Sequence, residues 1–172
     1  IQPTPNGTIL AIAKEDIDGF MPDVILEIEP DGVNEANLVW IWRVADHMSD
    51  DLYNPYTFYS GADYQTNDWN HFNAVSLNEF DEILLSSRNW SEIYVIPRFH
   101  LEDDLLPPDG SDDNFDILYR WGNPQNYGRG TEEDRILYAQ HGVNEIPNGY
   151  PGEENLILFN NMNIPGEQDG SS

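Results

Sequence analysis

The sequence predicts an all-β fold made of repeated antiparallel sheet units. Three observations support this prediction: the apolar runs are short, turn residues bound them, and they recur at a regular spacing along the chain. The runs are rich in Ile, Leu, Val, Tyr and Trp, while 12 prolines and 13 glycines supply turns between them. Signals for helices are weak throughout.

Each apolar run has the length and composition of a single strand. We predict strands at residues 8–13, 24–28, 38–44, 83–87, 92–97, 117–121 and 155–160.

The predicted strands recur with a period of about 74 residues. Three runs that begin at Ile9, Ile83 and Leu156 each follow a turn and have this spacing. Two aromatic-rich runs, residues 38–42 and 117–121, match each other in the same way. A few strands repeated with loops of variable length are typical of β-propeller blades.

This period is longer than the usual blade length of about 40 to 50 residues. We therefore expect insertions within residues 46–67 and 99–116.

The period divides the chain into approximate blades. One partial β-propeller domain, residues 1–172, would hold blades at 1–70 and 71–140 and an incomplete blade at 141–172. A propeller closes with about four to eight blades, so two blades and the start of a third would not close alone. We therefore expect the chain to be a fragment of a larger propeller. The alternative is a free-standing β-sandwich of about seven strands.

The charge balance limits the classes of partner. Against 32 Asp and Glu stand only 7 Lys and Arg, giving a formal net charge of −25, which disfavours nucleic acid and anionic membranes. With 39% hydrophobic residues, the chain has material for a core and differs from a disordered acidic tail. No apolar run approaches the roughly 18 residues of a membrane span. An acidic surface suits a secreted protein or a salty medium, where ions screen self-repulsion.

Two of the four histidines lie at corresponding points of neighbouring repeats. His71 and His141 are 70 residues apart, each at the start of a repeat. In a propeller, corresponding points of the innermost strands converge on the central channel, so we expect the two imidazoles to share one site. Taken alone, a histidine at the start of a strand is more often a hydrogen-bonded structural residue, and it is the paired placement that favours a shared site.

Asn73 and Arg88 are predicted to add an oxyanion pocket to this site. Asn73 lies two residues after His71, on the same face of an extended segment. Arg88 follows strand 83–87, and a guanidinium binds tetrahedral oxyanions through two parallel hydrogen bonds. The alternative is that Arg88 pairs with one of the many carboxylates.

Other candidate sites have weaker signals. Trp69 and Tyr127 could stack on an aromatic substrate, although aromatics in strand repeats are mostly core. The acidic run at residues 109–114 could bind calcium but lacks the EF-hand spacing, so a solvated loop is the alternative. Without cysteines, and without a phosphate loop, zinc helix or nucleophile elbow, the sequence predicts no metal and no cofactor.

At these positions the chain resembles the arylsulfate sulfotransferases, the arylsulfotransferase family. The resemblance is carried by residues 68–75, 83–93, 118–124, 140–141 and 156–161 and extends over most of the chain. It implies a six-bladed β-propeller. It also implies a nucleotide-independent sulfotransferase that moves a sulfuryl group from an aryl sulfate to a phenolic acceptor through a sulfohistidine.

The resemblance further implies roles for individual residues. By position, His141 is the nucleophile and His71 the neighbouring histidine that assists proton transfer, while Asn73 and Arg88 hold sulfuryl oxygens. His47 fits a pattern seen in related chains that carries no assigned role, and a turn histidine bonded to Asp46 is the alternative.

Relatives also carry a histidine motif upstream of the segment equivalent to residues 1–7 and further blades beyond residue 161, so we expect the isolated fragment to be inactive. A periplasmic or secreted location and a homodimer of the full-length protein are further expectations. The alternative function is a non-catalytic secreted β-propeller that binds a ligand or protein, and a third possibility is hydrolysis with water as acceptor.

Overall fold

The structure is a computed structural model that describes residues 1–47, 68–98 and 117–161, and these residues form three antiparallel sheets. The predicted insertions, apart from residues 46 and 47, and the acidic run at 109–114 lie outside the described residues. The prediction of an all-β, antiparallel fold is confirmed.

The first sheet has four strands that follow one another in chain order. They are β1 (Gln2–Pro3), β2 (Ile9–Lys14), β3 (Asp23–Asp31) and β4 (Glu35–Arg43). One turn of helix, α1 (Val44–His47), follows the last strand.

The second sheet repeats this four-stranded order, and the third has two strands. The second contains β5 (Phe72–Leu77), β6 (Ile83–Ser87), β7 (Glu92–Ile96) and β8 (Tyr119–Trp121). The third contains β9 (His141–Glu145) and β10 (Leu156–Phe159). Two short 3-10 turns, Pro124–Tyr127 and Glu132–Asp134, lie between the second and third sheets.

The three runs that were predicted to repeat are the second strands β2, β6 and β10 of the three sheets. The division into blades at 1–70, 71–140 and 141–172 stays a prediction. The list of predicted strands did not include the first strands β1, β5 and β9, although the segment after His71 was expected to be extended. Their sequences contain Pro, Asn, Ser, Gly and Glu, which have low strand propensity.

The second sheet is covered on both faces. Alternate side chains of β6 point to opposite faces. Ile83 and Leu85 pack into a core with Leu10 and Trp40 of the first sheet. Leu84, between them, packs into a second core with Val143 of the third sheet. All five residues of β6 are therefore buried, and the three sheets stack face to face in chain order.

The first strands β5 and β9 run side by side in the same direction. Asn73 donates to the carbonyl of Gln140, and Ser76 donates to the carbonyl of Val143, at 2.7 and 3.0 Å. The second contact lies three residues after the first on each strand, as expected for strands that run in the same direction. The starts of β5 and β9 consequently lie at the same end of the stack.

The third sheet leaves apolar surface open. Among the described residues, β10 pairs only with β9, and its Leu156, Ile157 and Phe159 are exposed. A cleft of about 460 Å³ lies between β10 and the second sheet. Its lining includes Ile93 and Trp121. Among the described residues, no helix has the length and apolar character needed to cross a membrane.

A buried ion pair joins the first two sheets. Arg98, just after β7, donates from Nη2 and Nε to the two carboxylate oxygens of Glu27 on β3, at 2.6 and 3.1 Å. Both side chains are 3% exposed. Arg98 also donates to Asp81 at 2.6 Å and to Asn6 at 3.0 Å, so one guanidinium links turns and strands of both sheets.

Replacing Arg98 should destabilise the stack strongly. Arg98→Met would leave the Glu27 carboxylate buried without its partner, which costs about 3 to 5 kcal/mol of unfolding free energy. Urea unfolding followed by tryptophan fluorescence would measure this loss. The exposed Arg129 provides the control, since Arg129→Met should change stability by no more than about 0.5 kcal/mol. Equal unfolding midpoints for the two variants would contradict a structural role of the ion pair.

Candidate active site

The candidate residues lie where the first strand of a sheet begins and its second strand ends. In the second sheet, Phe72 pairs with Ser87, which places His71 beside Arg88. In the third sheet, His141 pairs with Phe159. Because β5 and β9 run in the same direction, both histidines lie at the same end of the stacked sheets.

His71 is held by backbone and side-chain contacts. Its carbonyl accepts a hydrogen bond from the Arg88 amide at 3.1 Å, and its Nδ1 lies 2.6 Å from Oδ2 of Asp68. The imidazole is 39% exposed. A carboxylate can only accept, so the contact to Asp68 requires a proton on Nδ1 and, in the neutral ring, leaves the lone pair on Nε2.

The predicted geometry between His71 and Asn73 needs correction. His71 has φ of 49°, and a β-bulge lies between Phe72 and Ala74, so the segment is not extended at these positions. The two side chains therefore do not share a face through simple strand alternation.

Asn73 reaches across to the neighbouring sheet instead. Its Nδ2 donates to the carbonyl of Gln140, the residue before His141, at 2.7 Å. Its buried Oδ1 has no hydrogen-bond partner among the described residues. The amide thus links the start of β5 to the start of β9.

His141 is oriented by the carbonyl of a nearby residue. Its Nδ1 lies 3.0 Å from the carbonyl oxygen of Ala139, so this nitrogen carries the proton. The Asn161 amide lies 2.7 Å from the same nitrogen, and its oxygen and nitrogen can exchange places by a flip. In the neutral imidazole the lone pair is then on Nε2, as in His71.

Arg88 belongs to the same network as His71. The half-buried guanidinium donates from Nη1 to Oδ1 of Asn89 at 3.0 Å. Asn89 in turn donates from Nδ2 to the carbonyl of Asp68 at 2.6 Å. These hydrogen bonds connect the loop that contains His71 to the turn that contains Arg88.

A buried amide precedes each histidine and ties it to the preceding sheet. Asn70 accepts a hydrogen bond from the Asp23 amide of the first sheet at 2.9 Å. Gln140 donates from Nε2 to Ser86 Oγ and to the carbonyls of Ser87 and Glu92 of the second sheet. Both amides are at most 2% exposed. The residue before each histidine therefore has the same role, which is to bond the chain to the preceding sheet.

Ser91 fixes the chain that leads to His141. Its hydroxyl oxygen accepts hydrogen bonds from Arg135 at 2.7 Å and from the amide of Ala139 at 3.1 Å. Ser91 is fully buried in the turn between β6 and β7. Since the carbonyl of Ala139 orients His141, Ser91 and Arg135 support the imidazole indirectly.

Two carboxylates near His71 have opposite environments. Burial raises the pKa of Asp23 above its ordinary value of 3.8, although the Phe72 amide and Lys14 act to lower it. Partial burial also acts to raise the pKa of Asp68, but hydrogen bonds from Lys14 and His71 outweigh this and hold the pKa below 3.8. Asp68 is thus the carboxylate that keeps its charge beside the histidine.

The structure places the two predicted stacking residues elsewhere. Trp69 is 2% exposed and packs edge-on against Phe20 and Trp90 in the core, so its ring has no open face for a ligand. Tyr127 lies under the guanidinium of Arg120, 5.0 Å from its ring centroid. Arg120 is on β8, the strand farthest from β5 in the sheet.

His47 ends α1, which follows the last strand of the first sheet, and its ring stacks on Trp42 with centroids 4.9 Å apart.

Sequence reasoning missed several residues that support the histidines: Lys14, Asp68, Asn70, Ser91, Arg135 and Gln140. A signal existed for Asp68, since an acid three residues before a histidine can reach its ring across a tight turn. Contacts of Lys14 and Ser91 depend on how the sheets stack, which local sequence does not encode.

Comparison with known families gives one match. The family described as arylsulfotransferase (ASST) matches residues 1–171. No curated protein and no solved structure matches the chain.

Asp23 and Asp68 should contribute to stability with opposite dependence on pH. The folded state binds the Asp23 proton more tightly than the unfolded state, so this residue's contribution falls as pH rises from 3.8 through the raised pKa. Asp68 has a lowered pKa, so its contribution is present above 3.8 and is lost as pH falls through the lowered pKa.

Chemical denaturation over a pH series would measure both effects. Relative to the parent chain, Asp23→Asn should gain stability with rising pH, whereas Asp68→Asn should lose stability with rising pH. The same sign of slope for the two variants would contradict these assignments.

Proposed function

The chain belongs to the arylsulfotransferase family, and we propose that it takes part in sulfuryl transfer from an aryl sulfate ester to a phenolic acceptor. The family implies these two substrate classes. The orientation of His141 carries the proposal, because its Nδ1 is engaged with a carbonyl and Nε2 has the lone pair that a nucleophile requires.

The three sheets are proposed to be successive blades of a six-bladed β-propeller. Two four-stranded meanders with the same strand order support this, as does the face-to-face stacking around β6. The parallel course of β5 and β9 agrees with first strands that line a common axis.

In the first half-reaction, Nε2 of His141 attacks the sulfur of the aryl sulfate. A nitrogen–sulfur bond forms as the sulfur–oxygen bond to the aryl group breaks, and the leaving phenolate takes a proton from Nε2 of protonated His71. The product is a phenol and a sulfohistidine whose Nδ1 proton points at the Ala139 carbonyl. This hydrogen bond offsets the positive charge that the imidazole ring acquires.

In the second half-reaction, the oxygen of a phenolic acceptor attacks the same sulfur. Nε2 of His71 takes the acceptor's proton, a new sulfur–oxygen bond forms, and the nitrogen–sulfur bond breaks. His141 is neutral again and His71 is again protonated. By analogy with phosphoryl transfer, the transition state is loose, so positioning and charge stabilisation supply most of the catalysis.

Arg88 and Asn73 are proposed to hold the sulfuryl oxygens during both steps. Two contacts support this: the Arg88 amide bonds to the carbonyl of His71, and the Asn73 side chain bonds to the carbonyl of Gln140, the residue before His141. In a chain with a net charge of −25, a local guanidinium also offsets repulsion of the anionic donor.

A periplasmic or secreted location and a homodimer of the full-length protein are part of the proposal. The acidic composition supports an external location, since high net charge keeps proteins soluble and monovalent ions screen it.

His141→Ala should abolish transfer from a chromogenic aryl sulfate in the intact protein, because no other group would form the covalent intermediate. Mass spectrometry after a short exposure to the aryl sulfate should detect one added sulfuryl group on the His141 peptide of the parent protein. Asn144→Ala, an exposed change on the same strand, is the matched control and should retain turnover. Unchanged turnover in His141→Ala would refute the covalent mechanism, and an unlabelled but active parent would do the same.

Arg88→Lys should cost about 2 to 4 kcal/mol of transition-state stabilisation, because an ammonium does not reproduce the two-point contact of a guanidinium. The ratio of kcat/KM between the parent and the variant measures this cost. A loss below about tenfold, or 1.4 kcal/mol, would assign Arg88 to a structural role instead.

A further inference from the structure

We propose that Asp68 and Lys14 are positioning residues for His71: Asp68 holds the imidazole with Nδ1 protonated, and Lys14 fixes how the carboxylate presents its oxygens. The chemical use of this arrangement rests on the proposed sulfuryl transfer. The arrangement itself rests on contacts between three side chains from two sheets.

Each oxygen of Asp68 has a separate partner. Oδ1 lies 2.6 Å from Nζ of Lys14, and Oδ2 lies 2.6 Å from Nδ1 of His71. Lys14 ends β2 of the first sheet, whereas Asp68 and His71 precede β5 of the second. The three side chains therefore form a line that crosses from one sheet to the next.

Lys14 is the only lysine of the chain. Its ammonium lies 3.7 Å from the buried Asp23 and 2.6 Å from Asp68, so one positive charge stands between two carboxyl groups at the junction. An ammonium has donors and no acceptor, so the contact that Lys14 makes with residue 68 uses an oxygen of that residue. This requirement determines which atoms remain for His71.

This arrangement leaves Nε2 as the atom of His71 that exchanges protons with the substrates, and we call it the working atom. With Nδ1–H directed to Asp68, Nε2 is the atom that gives a proton to the departing phenolate and takes one from the acceptor. The ionised carboxylate also stabilises the imidazolium form that the first step requires. Side-chain exposures of 35 to 40% for all three residues place the line at the surface of the site, where a substrate can reach it.

The competing explanation for the contact between Lys14 and Asp68 is an ion pair that only stabilises the junction of the two sheets. The tautomer of His71 in an Asp68 variant distinguishes this explanation from a positioning role. In Asp68→Asn one oxygen is replaced by an NH₂ group. Because Lys14 can only donate, it takes the remaining oxygen, and the NH₂ group faces Nδ1 of His71. His71 should then change from the Nδ1–H to the Nε2–H tautomer, which leaves no lone pair on the working atom.

The experiment is ¹⁵N NMR of the full chain labelled only at histidine, under conditions where the imidazoles are neutral. With four histidines, a His71→Gln spectrum assigns the His71 signals. Asp68→Asn should convert the His71 signals to the Nε2–H pattern. In the intact protein, the same variant should lower kcat by about 100-fold, the lower range for loss of acid–base assistance.

A second substitution tests the role assigned to Lys14. Lys14→Met in the Asp68→Asn background releases the amide oxygen, which can then accept from His71. The Nδ1–H tautomer and part of the lost kcat should return. A purely structural ion pair is already lost in Asp68→Asn, so it predicts that Lys14→Met restores neither the Nδ1–H tautomer nor kcat.

Glu15→Gln is the matched control. Glu15 adjoins Lys14 in the chain and forms an ion pair of similar exposure with Arg43, at 2.7 and 3.0 Å. This variant should leave the tautomer of His71 and the rate unchanged.

Persistence of the Nδ1–H tautomer in Asp68→Asn would overturn the positioning role, even if the parent protein transfers sulfuryl groups. A tautomer switch in a parent protein without sulfuryl transfer would uphold the positioning role and refute the proposed function.

Discussion

The histidine site depends on buried amide side chains that join successive sheets. Asn70 and Gln140 each stand immediately before a histidine, and each bonds to the sheet that precedes it in the chain. A buried amide that lost these bonds would carry a desolvation penalty, so the position of one sheet fixes the start of the next. Because His71 directly follows Asn70 and His141 directly follows Gln140, these buried amides also fix the positions of the two imidazoles.

Scarce cations reinforce the same junctions. The chain has 7 Lys and Arg for 32 acids, and at least three of these cations form contacts between separate elements. Lys14 and Arg98 connect the first sheet to the second, and Arg135 connects the second to the approach to His141. In so acidic a molecule, each of these contacts also relieves local repulsion between carboxylates.

Sequence patterns were sufficient for the strands that are rich in Ile, Leu, Val and aromatic residues, which are all the strands that follow the first strand of each sheet. Strand β6 was predicted with its observed bounds because all its residues are buried. The first strands were missed since their polar residues serve the stacking and the site: Asn73 and Ser76 bond across to β9. Hydrophobic periodicity contains no signal for such strands.

The positions of the two histidines at the starts of β5 and β9 agree with their spacing in the sequence, but their local geometry was not predictable. His71 has a positive φ in the turn where its carbonyl accepts a hydrogen bond from the Arg88 amide. The residue types around His71 do not predict this backbone conformation. For Trp69, in contrast, the sequence suggested a functional role and the structure shows a core residue. Its neighbourhood in sequence suggested a ligand contact, while the stacking of two sheets needs a large ring at that point in the core.

The open edge of β10 has a consequence for handling the molecule. Leu156, Ile157 and Phe159 form an uncharged strand with exposed side chains, and acidic residues elsewhere do not protect its backbone groups. Within the part of the chain that the structure describes, only β9 pairs with β10. Where this edge is left uncovered, it is a template for further hydrogen bonding, and concentrated samples will polymerise strand by strand. A lysine introduced at Ile157 would act as a gatekeeper, keeping the purified chain dispersed at the cost of little internal packing.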